Sequence, residues 1–169
     1  MQIKSTIITT SFLLFFGGIF MSSAQTDTRL GVMLAYGTEV ENLGLGVNAE
    51  FPVMEDLTIA PSFVYYFPQG DYFGGDLNWW ELNANANYYL VDNENLGFYG
   101  LAGLNYSHIS FDYDTAFGSV DSSDGEFGLN LGVGANFNLN SNITPFAEAR
   151  YVIIDGSQLV IAAGVKFDL

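Results

Sequence analysis

The sequence predicts an all-β protein, an eight-stranded antiparallel up-and-down transmembrane β-barrel. Three observations lead to this prediction. Eight segments alternate apolar and polar residues with a period of two, the face opposite the apolar one consists of small residues, and short turns alternate with longer links along the chain.

The N-terminal segment, residues 1–24, has the features of a cleaved secretory signal peptide. Lys4 supplies a positive charge before the apolar run 7–20, and Ser22 and Ala24 stand at positions −3 and −1 of a small-residue cleavage site. The apolar run is shorter than the roughly 20 residues that a membrane-spanning helix needs. We therefore expect residues 25–169 to form the mature, exported chain.

Period-two alternation defines eight candidate strands. In the sixth, Leu129, Leu131 and Val133 alternate with Asn130 and Gly132. Alternation over such lengths predicts strands with two unlike faces. In the fifth the pattern weakens near its end, so its facing stays open. The segments are 29–37, 43–52, 57–67, 78–90, 96–111, 126–138, 144–153 and 159–169.

The links between segments predict the topology. Short polar turns join segments 2–3, 4–5 and 6–7, whereas longer links join 1–2, 3–4 and 5–6; the short link 7–8 is the exception. This arrangement is typical of an antiparallel meander. The longest link, residues 112–125, is expected to be an acidic surface loop. Its spacing does not match a calcium-binding loop.

Two architectures fit the alternation: a soluble sandwich or barrel with its apolar face inward, and a membrane barrel with its apolar face toward lipid. The small polar face favours the membrane barrel, because a water-facing sheet would carry more charge. The charged residues also fall on the small-residue face, where they would avoid hydrocarbon. The predicted lumen charge network is Arg29, Glu50, Glu81, Glu126, Glu148, Arg150 and Lys166. We expect it to lock the barrel, with gating of a narrow path as the alternative.

Aromatic residues near the strand ends predict two lipid-facing belts, as membrane barrels show at both interfaces. The predicted outer belt is Tyr36, Tyr65, Phe67, Trp80, Phe127 and Tyr151. The predicted inner belt is Phe51, Tyr88, Phe137 and Phe167.

Composition excludes several classes of function. A formal net charge of −15 argues against nucleic-acid binding, which needs a basic surface. The chain has no Cys and one His, so a disulfide framework, a thiol nucleophile and a clustered metal or haem site are not expected. We therefore expect no cofactor.

The C-terminal stretch "AAGVKFDL" resembles the assembly signal that the barrel-insertion machinery of Gram-negative outer membranes reads. Gly164, Phe167 and Leu169 carry the resemblance, although the chain ends in Leu169 rather than Phe, and Ala162 stands where a polar residue is usual. Strand motifs such as "ELNANANYYL" and "GLNLGVGANFNL" resemble the outer-membrane β-barrel-domain family, the small OmpA/OmpX-type group often labelled porin-family proteins. The resemblance covers residues 29–169.

The resemblance implies location and partners more than activity. It implies the outer membrane of a Gram-negative bacterium, with membrane lipid, lipopolysaccharide and the insertion machinery as partners, and we expect a monomer. Since no peptidoglycan-binding domain follows Leu169, an OmpA-style cell-wall tether is not expected. The expected role is structural or surface-interactive, with acidic loops, a side-chain-filled lumen and an unknown surface ligand; a narrow pore is the alternative.

A lipid-modifying enzyme is the third hypothesis. His108 and Ser110 lie two residues apart on one strand, and Glu126 opens the next segment. This set resembles that of the lipid A deacylases, in which such groups would activate a serine hydroxyl. A polar strand end is the interpretation we favour, so the protein is not expected to be an enzyme.

Overall fold

The computed structural model describes residues 28–72, 75–115, 118–139 and 141–169. The predicted signal peptide lies outside these residues, so its cleavage stays a prediction. Within the described part of the chain, no helix is long and apolar enough to cross a membrane. The strands are β1 (Arg29–Gly37), β2 (Asn42–Met54), β3 (Leu57–Tyr72), β4 (Gly75–Asp92), β5 (Leu96–Thr115), β6 (Gly118–Phe137), β7 (Ile143–Ile153) and β8 (Gln158–Asp168).

The eight strands form one closed antiparallel barrel, which confirms the predicted fold class. Each strand pairs with its neighbours in sequence, and β1 pairs with β8 to close the sheet. In the closing pair, Leu30 lies opposite Phe167 and Tyr36 opposite Ile161. Because the ring is closed, it has no open strand edge. A sheet in hydrocarbon requires this closure, since every backbone N–H and C=O must be paired there.

The apolar side chains point away from the barrel centre. Leu131 is 54% exposed, whereas its neighbour Asn130 is 1% exposed. The same alternation settles the facing of β5: Tyr99 and Leu101 are buried inside, and Leu104 is exposed outside. The barrel therefore has an apolar outer wall and a mixed interior, in which polar and charged side chains lie beside a buried apolar cluster that includes Val64, Val152 and Val160.

The strands differ in length, and this corrects the predicted loops. β3 to β6 have 16 to 20 residues, whereas β1, β7 and β8 have 9 to 11. Most of the predicted acidic loop 112–125 belongs to a hairpin of β5 and β6, in which Ser110 pairs with Ser123 and Thr115 with Gly118. A membrane strand needs about 9–11 residues. The longer strands therefore extend beyond the apolar wall, where the apolar alternation that marks a strand is no longer required.

Candidate functional site

The end of the barrel at which β1 begins and β8 ends, called here the terminal end, contains a buried ion pair. Lys166 Nζ lies 2.7 Å from Glu50 Oε2 and also donates to Asn136 Oδ1 at 2.9 Å. Glu50 Oε1 accepts hydrogen bonds from Thr58 and Tyr89. These groups provide hydrogen-bond partners for the buried carboxylate and ammonium. Their side chains come from five strands, so the cluster connects β2, β3, β4, β6 and β8 inside the lumen.

A second buried ion-pair cluster lies farther from the termini. Arg150 Nη2 donates to Glu81 Oε2 at 2.9 Å, and its Nη1 lies 3.3 Å from Glu148 Oε1. Gln158 Nε2 donates to the other oxygen of Glu81 at 2.6 Å. Arg150 and Glu81 are at most 1% exposed as side chains. Among the acidic residues of the predicted lumen network, the structure pairs Arg150 with Glu81 and Glu148.

Asparagines fill the lumen between the two clusters. Along β4, Asn83, Asn85 and Asn87 follow Glu81 of the second cluster and precede Tyr89 of the first. These three asparagines are at most 5% exposed.

Two of the β4 asparagines bond to residues of β5 and β6. Asn130 Nδ2 donates to Asn83 Oδ1 at 2.8 Å and to Asn85 Oδ1 at 2.9 Å, and Asn105 Nδ2 also donates to Asn83 Oδ1 at 2.8 Å. The small polar residues therefore form a hydrogen-bonded filling. The cavities found in the lumen are small, about 50 Å³ at the terminal end and about 10 Å³ deeper inside.

Two residues of the predicted lumen network lie apart from these clusters. Arg29 pairs with Asp168 at 3.1 Å at the terminal end, where both side chains are 28% exposed. Glu126 Oε1 accepts a hydrogen bond of 2.9 Å from the backbone N–H of Asp155, in the turn between β7 and β8. Glu126 therefore fastens a turn at the far end, and the structure gives it no ion pair among the described residues.

Sequence reasoning missed the neutral partners of the buried charges. The charged side chains are hydrogen-bonded by Thr58, Tyr89, Asn136 and Gln158, and none of these was a candidate, because a neutral side chain has no formal charge that singles it out in the sequence. The sequence did carry one indication of their role: the period-two alternation places these residues on the small-residue face of their strands. Asp168 was missed for a different reason: its partner Arg29 could be identified only after β1 and β8 were known to pair.

The predicted belt aromatics all lie on the outward side of their strands. Phe127 is 81% exposed and packs against Tyr106, with ring centroids 4.9 Å apart. Trp80 is half-buried among its aromatic neighbours, 6.0 Å from Phe63 and 5.7 Å from Tyr106. Contact of these rings with lipid stays a prediction.

The residues of the predicted assembly signal lie at the closing seam. Gly164 sits where β8 approaches β1 so closely that a Cβ atom would lie 2.1 Å from the carbonyl oxygen of Val32. Phe167 and Leu169 are exposed. Close packing between β8 and β1 therefore explains a glycine at this position. Recognition of this stretch by the insertion machinery stays a prediction.

The structure does not bring the three residues of the enzyme hypothesis together. The ring of His108 lies 5.0 Å from that of Trp80 on the outer wall, and Ser110 has the same parity. Glu126 pairs with Ser107, which is buried inside, so its side chain leaves the strand on the opposite face. A charge relay from Glu126 through His108 to Ser110 therefore cannot form in this arrangement. Among the described residues there is also no group of three His, Asp or Glu side chains that could hold a metal ion.

At the end opposite the termini, four strands continue past their neighbours as a projecting sheet, defined here as β3 from residue 67, β4 to residue 78, β5 from residue 109 and β6 to residue 128. β6 pairs with β7 only from Leu129 onward, but it pairs with β5 as far as Gly118. Among the described strands, residues 118–125 therefore have a partner on one side only, whereas Glu126 and Gly128 lie against the turn between β7 and β8. At ~3.3 Å per residue, this edge is about 26 Å long.

Acidic residues occupy matching register positions in the projecting sheet. Asp76 of β4 pairs with Asp112 of β5, and Asp112 pairs with Asp121 of β6. Residues 68–77 and 110–126 contain no Lys or Arg. The register therefore aligns three positions of like formal charge across β4, β5 and β6.

Comparisons with known proteins agree with the barrel architecture. The profile of a family described as "Outer membrane protein beta-barrel domain" matches residues 9–167. A comparison with curated protein sequences gave no match.

Several solved structures are similar in fold. The N-terminal β-barrel domain of OprF from Pseudomonas aeruginosa has a TM-score of 0.67 at 17% identity, covering 87% of this chain and 100% of that one. Neisserial surface protein A has a TM-score of 0.64 at 18% identity, covering 84% and 96%. Ail of Yersinia pestis, solved with the heparin analogue sucrose octasulfate, has 0.62 at 18% identity, covering 84% and 95%. The outer membrane enzyme PagL is more distant, with 0.54 at 9% identity, covering 83% and 99%.

Proposed function

Because this chain belongs to the outer membrane protein β-barrel domain family, we propose that it is a surface-interaction protein. In this proposal the filled barrel anchors the projecting sheet outside the outer membrane. The observation that carries the proposal is the one-sided pairing of β6, among the described strands, over residues 118–125. An edge with free backbone donors and acceptors can take up an extended segment of another protein as an additional strand.

The charge of the projecting sheet supports a basic partner. The register row Asp76–Asp112–Asp121 would gain from neutralisation by Lys or Arg of an added strand. A polyanion is not supported, because residues 68–77 and 110–126 of the projecting sheet contain no Lys or Arg.

A narrow pore receives less support. Two buried ion-pair clusters and the asparagine filling occupy the lumen, and the cavities there are about 10 and 50 Å³. A lipid-modifying enzyme receives less support as well, since Glu126 lies on the opposite face from His108.

The test uses the barrel in lipid nanodiscs and three labelled peptides of equal length. The peptides alternate Val with Lys, with Thr or with Glu, and their binding is measured by fluorescence anisotropy. We expect the Lys peptide to bind at least tenfold more tightly than the Thr peptide, and the Glu peptide not to bind. Equal binding of all three would contradict the proposal.

Two variants separate the edge from its charge. Residues 111–122 can be replaced by Asn-Gly, because Ser110 and Ser123 are directly opposite and a two-residue turn closes such a pair. This variant should lose binding of the Lys peptide, and Asp112→Asn/Asp121→Asn should weaken it. The matched control, Glu39→Gln/Asp155→Asn, removes two charges from shorter turns at the same end and should bind like the wild type. Unchanged binding in the shortened variant would overturn the proposed site.

A further inference from the structure

The outer wall contains one large apolar depression, called here the outer groove. It has a volume of about 590 Å³ and lies across β8, β1, β2, β3 and β4. Its outward-facing lining includes Leu30, Val47, Ala49, Pro61, Phe63 and Phe167. No charged side chain lines it. The volume falls within the range of sites that bind small molecules.

The outer groove lies over a gap in the β2–β3 ladder. Pairing runs to Asn48 opposite Ser62 and resumes in the same register at Phe51 opposite Ile59. The missing pairs would include Ala49 opposite Pro61. Proline has no N–H, so β2 receives no hydrogen bond from that position. The missing ladder pairs lie where the outer wall is indented, so an apolar chain seated there would fill the depression by van der Waals contact.

The inner side of the same gap is polar. Asn48 and Ser62 line both the outer groove and the 10 Å³ lumen cavity, and the buried Glu50–Lys166 pair adjoins them on β2. An apolar occupant of the groove would therefore separate this polar cluster from the surroundings of the barrel.

The position of the groove along the barrel indicates the source of the occupant. Leu30 follows Arg29 at the start of β1, and Phe167 precedes Asp168 at the end of β8, so the groove reaches the terminal end. With that end toward the periplasm, the groove lies in the phospholipid leaflet. The partly exposed Arg29–Asp168 pair at the rim offers one charge of each sign, which matches the phosphate and ammonium of a zwitterionic head group.

We propose that the outer groove binds one phospholipid of the periplasmic leaflet, whose acyl chain packs over Ala49 and Pro61 and covers the β2–β3 gap. This site is independent of the proposed role of the projecting sheet. It is a site for a retained lipid, distinct from the exchanging lipid around the rest of the wall.

The test is native mass spectrometry of the mature chain, refolded in detergent and titrated with phosphatidylethanolamine. Wild type should retain one phospholipid, and Ala49→Trp, which fills the groove, should retain it at least tenfold more weakly. Ala102→Trp is the matched control, since Ala102 is also an outward-facing alanine but does not line the groove; it should retain the lipid like the wild type. Val47→Trp is a second groove-filling variant if Ala49→Trp does not fold, as judged by heat-modifiable gel mobility.

Three outcomes would overturn the proposal. Equal lipid retention by wild type and the groove-filling variants would show that the groove is not the site. Preferential retention of lipopolysaccharide over phosphatidylethanolamine would contradict the assigned leaflet. A dimer that Ala49→Trp abolishes would identify a second copy of the chain as the occupant.

Discussion

Arg150 on β7 donates a hydrogen bond of 2.9 Å to Glu81 on β4, across the interior of the barrel. These strands are not neighbours in the sheet, so this ion pair joins parts of the wall that no backbone ladder connects. Both side chains are at most 1% exposed. A buried pair is not in itself evidence of high stability, but removing one partner leaves the other charge uncompensated.

Replacing Arg150 with Met should therefore destabilise the barrel strongly. We expect Arg150→Met to lower the free energy of unfolding by ~3–5 kcal/mol, because Glu81 and Glu148 would lose their cation. Urea unfolding in lipid vesicles, followed by tryptophan fluorescence, measures the loss. Arg29→Met is the control, since the Arg29–Asp168 pair is partly exposed and should contribute less than ~1 kcal/mol. Equal losses in the two variants would contradict the role assigned to the buried cluster.

Two glycines of adjacent strands provide a matched test of wall packing. A Cβ atom on Gly132 would lie 2.3 Å from the Ala149 carbonyl oxygen and 2.7 Å from the Arg150 Cα, whereas one on Gly100 would have nothing within 4 Å. We expect Gly132→Ala to cost ~1–3 kcal/mol through overpacking. Gly100→Ala should be neutral or gain up to ~1 kcal/mol from reduced freedom of the unfolded chain. The same unfolding assay measures both changes in stability. A Gly132→Ala variant as stable as Gly100→Ala would contradict the close approach of Gly132 to Ala149 and Arg150.

The filled lumen predicts that the barrel does not conduct ions. Incorporation of purified protein into a planar bilayer should leave the current at its baseline, without discrete steps, because the ion-pair clusters and asparagines leave cavities of only about 10 and 50 Å³. Insertion is checked independently by heat-modifiable gel mobility of protein recovered from vesicles. Reproducible current steps in several preparations would favour the narrow-pore alternative.

The sequence predicted the number and order of the strands and the facing of all except β5, because apolar alternation is imposed wherever one face of a strand meets a different medium from the other. It did not predict that residues 68–77 and 112–125 lie largely in β3 to β6. Outside the apolar wall both faces of a strand meet similar surroundings, so no alternation is required, and the Gly, Asp and Ser of these stretches resemble turn residues. The predicted strands therefore end where the apolar alternation ends.

The pairing of lumen charges was predictable only in part. Parity placed Arg150, Glu81 and Glu126 on one face, but the choice of partner depends on how the strands are staggered around the barrel. The stagger places Arg150 beside Glu81 and Glu126 beside the backbone of Asp155. The facing of His108 was likewise fixed only by the β4–β5 register, which pairs it with Trp80.

Adjacent tryptophans on β4 report most directly on the central claim, that the apolar flank of every strand faces lipid. Trp79 is 7% exposed and packs inside against Tyr66, whereas Trp80 lies on the outer wall beside Phe63. The chain has only these two tryptophans. Trp80→Phe therefore leaves an inside probe and Trp79→Phe an outside probe, at the same depth along one strand.

The measurement is fluorescence quenching of the two single-tryptophan variants in vesicles of phospholipid brominated near the head-group end of the acyl chain. The account predicts strong quenching of Trp80 in the Trp79→Phe variant and weak quenching of Trp79 in the Trp80→Phe variant. Equal quenching of the two, or stronger quenching of Trp79, would contradict a barrel whose apolar face meets lipid.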